Sequence, residues 1–307
     1  MTSLGEMATQ LPLVGSFEAY ANRFIDPAFG FAVGWNYWFS WAITVAAEFV
    51  AAGLIFKFWI PDVPVTLVAM CSFVLLMGLN LISTKSYAEA EYWFAGIKVI
   101  AVIVFLIVGV LIIAGILGDH TVGFQNWVLD DGPGRKAPFV GGFAAMMSVF
   151  VVAGFSFQGT EIVGLAAAEA ADPEKMVPKA INSVFWRILI FYIGAIFVIG
   201  TLIPFTEPDL LNGSPENVAA SPFVLVLRNV GLASAASILN AVILTSVLSC
   251  GNSGLYTSSR MLHAMSLRGN APKFFAITNS RGVPYRAVWA TGSIAALSFF
   301  ASFVGEG

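Results

Sequence analysis

Charge is the scarcest property of these 307 residues: Asp, Glu, Lys and Arg together make up 11% of the chain, where a soluble domain carries about a quarter. Hydrophobic residues make up 58%, and the mean hydropathy is +0.84. A water-soluble globule is excluded, and the chain reads as an all-α integral membrane protein. The basic residues are scattered, no basic run exists, and the net charge is -3, so nothing marks a nucleic-acid surface. Cys71 and Cys250 are the two cysteines, and both fall inside apolar stretches, where they read as small buried hydrophobes rather than a disulfide or a metal pair. His120 and His263 lie at segment ends. With no nucleophile-base pair and no metal-ligand spacing, no enzyme, cofactor or metal is expected.

Proline is also missing where it would hurt. Pro61, Pro64, Pro133, Pro138, Pro204, Pro208, Pro215 and Pro222 sit at or beyond the ends of apolar runs, where they stop helices without removing a buried hydrogen bond. A membrane span needs about 20 mostly apolar residues. Seven runs meet that length, from Ala28 to Phe58, Val63 to Ser83, Tyr92 to Gly118, Gly142 to Ala168, Ser183 to Phe205, Ala233 to Met265 and Arg286 to Val304. Before them, Leu4, Met7, Ala8 and Leu11 share one helical face, so Met1 to Leu11 reads as the end of a further helix. An odd number of spans after such a remnant reads as part of a longer chain.

The loops between the spans are unequal in charge. One alternate set carries Arg23, Lys85, Lys175, Lys179, Arg187, Arg260, Arg268, Lys273, Arg281 and Arg286, and the other only Lys57, Arg135, Lys136 and Arg228. By the positive-inside rule the first set is cytoplasmic. Asp172 to Lys179 then forms a charged cytoplasmic elbow, with a helix expected to start at Pro178.

Polar groups inside the spans carry the functional signal. Gly154 to Glu161, Gly-Phe-Ser-Phe-Gln-Gly-Thr-Glu, puts two helix-weakening glycines and a carboxylate into an apolar run. Backbone unwinds in hydrocarbon only where protein, water or a ligand satisfies it, and a carboxylate there is costly unless partnered. A broken helix that holds a cationic solute fits this segment; a protonated carboxyl bonded to a neighbouring helix is the other reading of Glu161. Gly154, Gly159 and Gly164 serve either to open the helix or to pack it closely. Glu169, eight residues on, points into the same pathway or to the surface.

Lys98 on the third span either snorkels to the interface or is a buried ammonium able to release and rebind a proton. Tyr37, Trp41, Thr44 and Glu48 share one helical face of the first span; their rings form an interfacial belt or the walls of an ammonium site. The sixth span holds Asn240, Thr245, Ser246, Ser249, Asn252, Ser253 and Ser258, expected to hydrogen-bond to neighbouring helices. Ser246 and Ser249 are also candidates for an ion or proton site.

The Gly154 to Glu161 segment, Ala167-Ala168-Glu169, Asp172-Pro173, Val177-Pro178-Lys179-Ala180 and Phe185-Trp186-Arg187-Ile188-Leu189 together resemble the amino-acid permeases of the amino acid-polyamine-organocation superfamily. Gly34-Trp35-Asn36-Tyr37-Trp38, Ala90-Glu91-Tyr92-Trp93-Phe94 with Lys98, and Ser249-Cys250-Gly251-Asn252-Ser253-Gly254 extend the likeness almost end to end. Within the superfamily, the Phe-Gln-Gly-Thr-Glu segment is most similar to bacterial lysine-specific permeases. The resemblance implies a LeuT-type inverted-repeat core, with residues 1-307 forming one permease domain from the end of helix two to helix nine. It implies substrate contacts at Phe155, Gln158 and Glu161, with Glu169 nearby and Tyr37 and Trp41 as walls, and proton coupling through Lys98, Ser246 and Ser249. The expected protein is a multi-pass carrier of the bacterial cytoplasmic membrane. Its partners are the lipid bilayer, a small amino acid, foremost L-lysine, and a proton. Arginine, histidine, an aromatic amino acid or 4-aminobutyrate are alternative cargoes, and a seven-helix sensor is the alternative class.

Overall fold

The computed structural model describes residues 2–82, 84–118, 121–133, 135–137, 140–167, 170, 172–211 and 221–300. Among these residues the secondary structure is helical apart from an isolated bridge between Asp130 and Lys136. Helices α1 (Thr2–Gln10) and α2 (Phe17–Phe24) lead into three long apolar helices, α3 (Pro27–Phe56), α4 (Val65–Ile82) and α5 (Thr84–Ile113). Next come α6 (Gly142–Phe155), the short α7 (Ile162–Ala166) and α8 (Pro173–Arg187). A π-helical stretch, Ile188–Ile193, joins α8 to α9 (Gly194–Leu202). The chain continues through α10 (Pro208–Leu211), α11 (Pro222–Asn229), α12 (Ala233–Arg268) and α13 (Tyr285–Ala295).

Local chemistry sets several of these boundaries. Asp26 caps α3, its Oδ1 accepting from the N–H groups of Ala28 at 2.7 Å and Phe29 at 3.3 Å. Pro27 occupies the first helical turn, where its missing N–H costs nothing. Further along the chain, α12 stops at Gly269, whose φ of 83° is left-handed. Asn270 N–H then bonds back to Met265 C=O at 2.9 Å, and Gly269 N–H to Ser266 C=O at 3.3 Å. That pair of bonds is a Schellman closure, and it satisfies carbonyls that would otherwise be orphaned.

Among the described residues, five helices are long and apolar enough to cross a membrane: Pro27–Phe56, Val65–Ile82, Tyr87–Ile113, Pro173–Leu202 and Ser234–Arg268. The two other expected spans are divided. The fourth is split between α6 and α7, and the seventh is α13 followed by a 3-10 stretch, Ala296–Phe300. The remnant expected at the start is helical, with Gly5 and Ala8 buried; Ala8 packs with Ala167 and Val177. The helix after the elbow starts at Pro173, five residues earlier than expected, and carries Pro178 inside it. Both cysteines are free, and Cys71 is exposed on α4 instead of buried. Its thiol faces outward from a helix of membrane length, a position that suits a weakly polar group in lipid.

The chain divides into two compact units. The first combines residues 1–96, 161–181 and 243–307, and its core joins Val45, Phe49, Leu76, Met77, Leu255 and Val288. Helices surrounded by lipid gain nothing from expelling water, so close packing has to hold them. Gly254 of α12 shows this, because a Cβ there would meet Trp41 at 2.9 Å and Val45 at 2.8 Å. The second unit, 97–160 and 182–242, has its own core around Phe105, Ile112, Val198, Leu225 and Val226. Its loop 125–127 is tied to α9 by Asn126 Nδ2, donating to Thr201 C=O at 2.9 Å, and by Trp127 Nε1, donating to Thr201 Oγ1 at 3.1 Å.

Candidate functional site

The break expected around Glu161 is present. Helix α6 ends at Phe155, α7 starts at Ile162, and Gly159 between them has a φ of 94°. An L side chain rarely adopts that backbone conformation, so the glycine is the residue that lets the chain turn here. The break is not wide open. Ser156, Phe157, Gln158 and Thr160 donate their N–H groups to the carbonyls three residues earlier, at 3.0 to 3.3 Å, and Gly164 does the same to Glu161 at 2.9 Å. The helix is therefore tightened into successive turns, which keeps most backbone groups satisfied at a depth where water is scarce. The three glycines divide the work. Gly159 turns the chain, Gly164 packs against Leu4 and Ser16, and Gly154 has nothing within 4 Å of a built Cβ.

In the first unit, Glu161 meets α3. Tyr37 Oη donates to Glu161 Oε1 at 2.8 Å. The Tyr37 ring is gripped edge-on by Phe17, with centroids 4.5 Å apart, and stands 6.3 Å from the ring of Trp41. Trp41 is 2% exposed, so this wall is fixed by packing. The structure thus brings Glu161 to the Tyr37–Trp41 face of α3, although Glu161 lies 124 positions beyond Tyr37 in the sequence. A half-buried carboxylate framed by aromatic rings is chemically suited to an organic ammonium, which gains charge pairing and cation-π attraction together. Thr44, on the same face, is satisfied locally by Ser40 C=O at 2.9 Å.

The remaining candidates are distributed differently. In the second unit, Phe155 closes α6 with 66% of its surface exposed. Gln158 is half-buried in the turn, and Phe157 lies against Tyr192 of the π-helical stretch, with centroids 5.9 Å apart. Lys98 is half-buried on α5. Ser246 and Ser249 belong to α12 in the first unit, Ser246 half-buried and Ser249 1% exposed. Glu169 lies outside the described residues.

Ser249 has a partner that sequence reasoning did not select. Its Oγ donates to Glu91 Oε2 at 2.7 Å, and Asn252 Nδ2 donates to Glu91 Oε1 at 2.9 Å. In the sequence Glu91 stands within the Ala90-Glu91-Tyr92-Trp93-Phe94 motif. The signal available was a carboxylate one turn inside a membrane-length helix, Tyr87–Ile113. Ser253 likewise meets α5, accepting from Tyr87 Oη at 3.5 Å, whereas Ser258 and Ser259 bond within α12, to Gly254 C=O at 2.6 Å and Tyr256 C=O at 2.9 Å. A helical serine reaches its own carbonyls as easily as a neighbour's, which composition alone does not reveal.

Membrane-length helices, an apolar helix interrupted by a tight turn, and a carboxylate held at that turn by an aromatic wall define a multi-pass membrane protein built round a polar intramembrane site. The chain belongs to the amino acid permease family, whose profile matches residues 1–307. It is 49% identical over 307 residues to the lysine-specific permease LysP of Escherichia coli (strain K12), covering 100% of this chain and 62% of that protein. It is 47% identical over 305 residues to the histidine permease HisP of Lactococcus lactis subsp. cremoris (strain MG1363), covering 99% of this chain and 63% of the relative. The gamma-aminobutyric acid permease of Bacillus subtilis (strain 168) is 43% identical over 289 residues, 94% of this chain and 59% of the relative. The chain thus spans about three fifths of the length of these relatives. They are permeases, not enzymes, and with the five apolar helices they make this a multi-pass protein of the bacterial inner membrane.

Proposed function

We propose that the chain serves a secondary carrier, which takes up L-lysine together with a proton by alternating access, and that residues 1–307 act as one permease domain. The observation that carries this reading is the Glu161 carboxylate, positioned at the helix break by the Tyr37 hydroxyl at 2.8 Å. An incoming ε-ammonium adds a charge-assisted bond to the carboxylate that Tyr37 orients, stronger than any neutral donor makes. Phe155, Gln158 and Glu169 would complete the substrate contacts, and Lys98, Ser246 and Ser249 would link protonation to helix arrangement. Likeness to LysP at 49% identity supports lysine as the cargo. Histidine is the second reading, favoured by 47% identity to HisP.

The test is uptake of labelled lysine by proteoliposomes carrying the purified protein, with and without an inward proton gradient. Saturable, gradient-driven uptake is expected, competed best by unlabelled lysine and less by arginine, histidine or 4-aminobutyrate. Stronger competition by histidine would reassign the cargo. Saturable binding without flux would replace the carrier with a sensor. Lys98→Ala should abolish the dependence on the gradient, and uptake that keeps it would remove Lys98 from the coupling.

A further inference from the structure

Glu91 is a carboxylate inside a membrane-length helix whose hydrogen-bond partners are neutral. Its Oε2 accepts from Ser249 Oγ at 2.7 Å and its Oε1 from Asn252 Nδ2 at 2.9 Å. Among the described residues it forms no ion pair. Charged and titratable groups do occur on the helices around it. On α5 these are Lys85, Tyr87, Glu89, Tyr92 and Lys98; on α12 they are Cys250, Tyr256, Arg260, His263 and Arg268. The Arg260 guanidinium lies 3.8 Å over the Tyr256 ring, which stacks on Tyr87 at 4.0 Å. Glu48 of α3 approaches α12 on the side of Gly251, whose built Cβ would lie 3.6 Å from its Cβ. Helix α4 carries no Asp, Glu, Lys or Arg, and its one titratable side chain is Cys71.

The two partners of Glu91 differ in what they are able to do. Asn80 Nδ2 donates both to Leu76 C=O at 3.0 Å and to Asn252 Oδ1 at 2.8 Å. A backbone carbonyl only accepts, so it fixes the Asn80 amide with its nitrogen toward Asn252. That in turn commits Asn252 Oδ1 and leaves Asn252 Nδ2 facing Glu91. Asn80 and Asn252 are 2% and 0% exposed, so packing holds this order. One oxygen of Glu91 therefore meets a group that only donates. The other meets a hydroxyl, which donates or accepts with a turn about its C–O bond.

We propose that Glu91 is a reversible proton-binding site and that the proton resides on Oε2. In the ionised form both oxygens accept. On proton uptake the new O–H donates to Ser249 Oγ, whose own hydrogen swings away, while Oε1 keeps its bond from Asn252. The bridge between α5 and α12 survives in both states, and the charge in the span disappears in one of them. A carboxylate at this depth without a cationic partner is otherwise expensive, and the proton is the cation it is built to take. This site is separate from Glu161 and does not depend on which solute is carried.

The experiment is infrared difference spectroscopy of the purified protein in lipid as the buffer is moved from alkaline to acidic. A carboxylic-acid C=O band is expected to appear, and Glu91→Gln should delete it from the difference spectrum. Ser249→Ala removes the acceptor for the acid O–H, so the band should persist at a higher frequency. A difference spectrum unchanged by Glu91→Gln overturns the proposal. If that variant fails to fold, a band unmoved in Ser249→Ala overturns it equally. Adding lysine to the same sample probes Glu161 independently: silence there with the Glu91 band intact would sink the lysine reading alone.

Discussion

Tyr37 gives up hydrogen-bonding freedom for position. Its ring is held by Phe17 and its hydroxyl is spent on Glu161, so the carboxylate has a defined direction before any solute arrives. Hydrogen bonds to charged groups contribute about 1.5–3 kcal/mol, and each 1.4 kcal/mol is tenfold in an equilibrium constant, as RT dictates. Tyr37→Phe keeps the ring and removes only the donor. Lysine uptake should then fall by roughly 10- to 100-fold, read in the apparent affinity, with little change in thermal stability in detergent. Unchanged affinity would mean that Glu161 is positioned by other contacts. At this scale the sequence was informative about residue types and less so about partners. Glu161, Tyr37 and Trp41 were selected from helical spacing and from a carboxylate in an apolar run. Glu91 went unselected, because one turn from a helix end a carboxylate looks like a surface group until Ser249 and Asn252 are seen to face it.

The break between α6 and α7 was legible at the scale of elements for a simple reason: Gly159 and Glu161 are both costly inside an apolar helix, and cost is visible in sequence. Its tightness was not, since runs of bonds to the third residue back use the same residues as an α-helix. The π-helical stretch at Ile188–Ile193 was equally hidden, because Ile-Leu-Ile-Phe-Tyr-Ile is ordinary apolar span composition. Gly159→Ala tests the turn directly. Placing a Cβ at a φ of 94° should cost roughly 1–2 kcal/mol, seen as a lower midpoint in thermal unfolding, together with reduced uptake. A variant as stable and as active as the parent would show that the turn tolerates another conformation.

For the whole molecule, the most exacting arrangement in the first unit is the buried Glu18 of α2. It accepts from Arg268 at the end of α12 and from Asn270 Nδ2 at 3.0 Å, while Trp35 Nε1 donates to Asn270 C=O at 3.1 Å. Only the Glu18 side of the pair is buried, Arg268 keeping 27% of its side chain exposed, so removing the arginine leaves an uncompensated charge at a cost below the roughly 3–5 kcal/mol of a fully buried pair. Arg268→Ala should therefore lose folded protein at temperatures the parent survives, and Arg268→Ala combined with Glu18→Gln should recover part of that loss. No recovery in the double variant would mean that the pair is not what limits stability. None of this was visible beforehand, because Glu18 and Arg268 are 250 positions apart and each looks like an ordinary loop charge. The division into seven apolar runs was visible, and among the described residues five of them are continuous membrane-length helices.

Helix α4 has 18 residues, and at 1.5 Å each it reaches about 27 Å, slightly less than the roughly 30 Å of a typical hydrocarbon core. Helix α12, with 36 residues, is twice that and has length to spare. The short helix is therefore the gauge of the pair: the long one accommodates a thicker bilayer, and α4 does not. Reconstituted into lipids of increasing acyl-chain length, the protein should be most stable in the thinner members of the series. The choice of lipid would then set its working state as firmly as any side chain does.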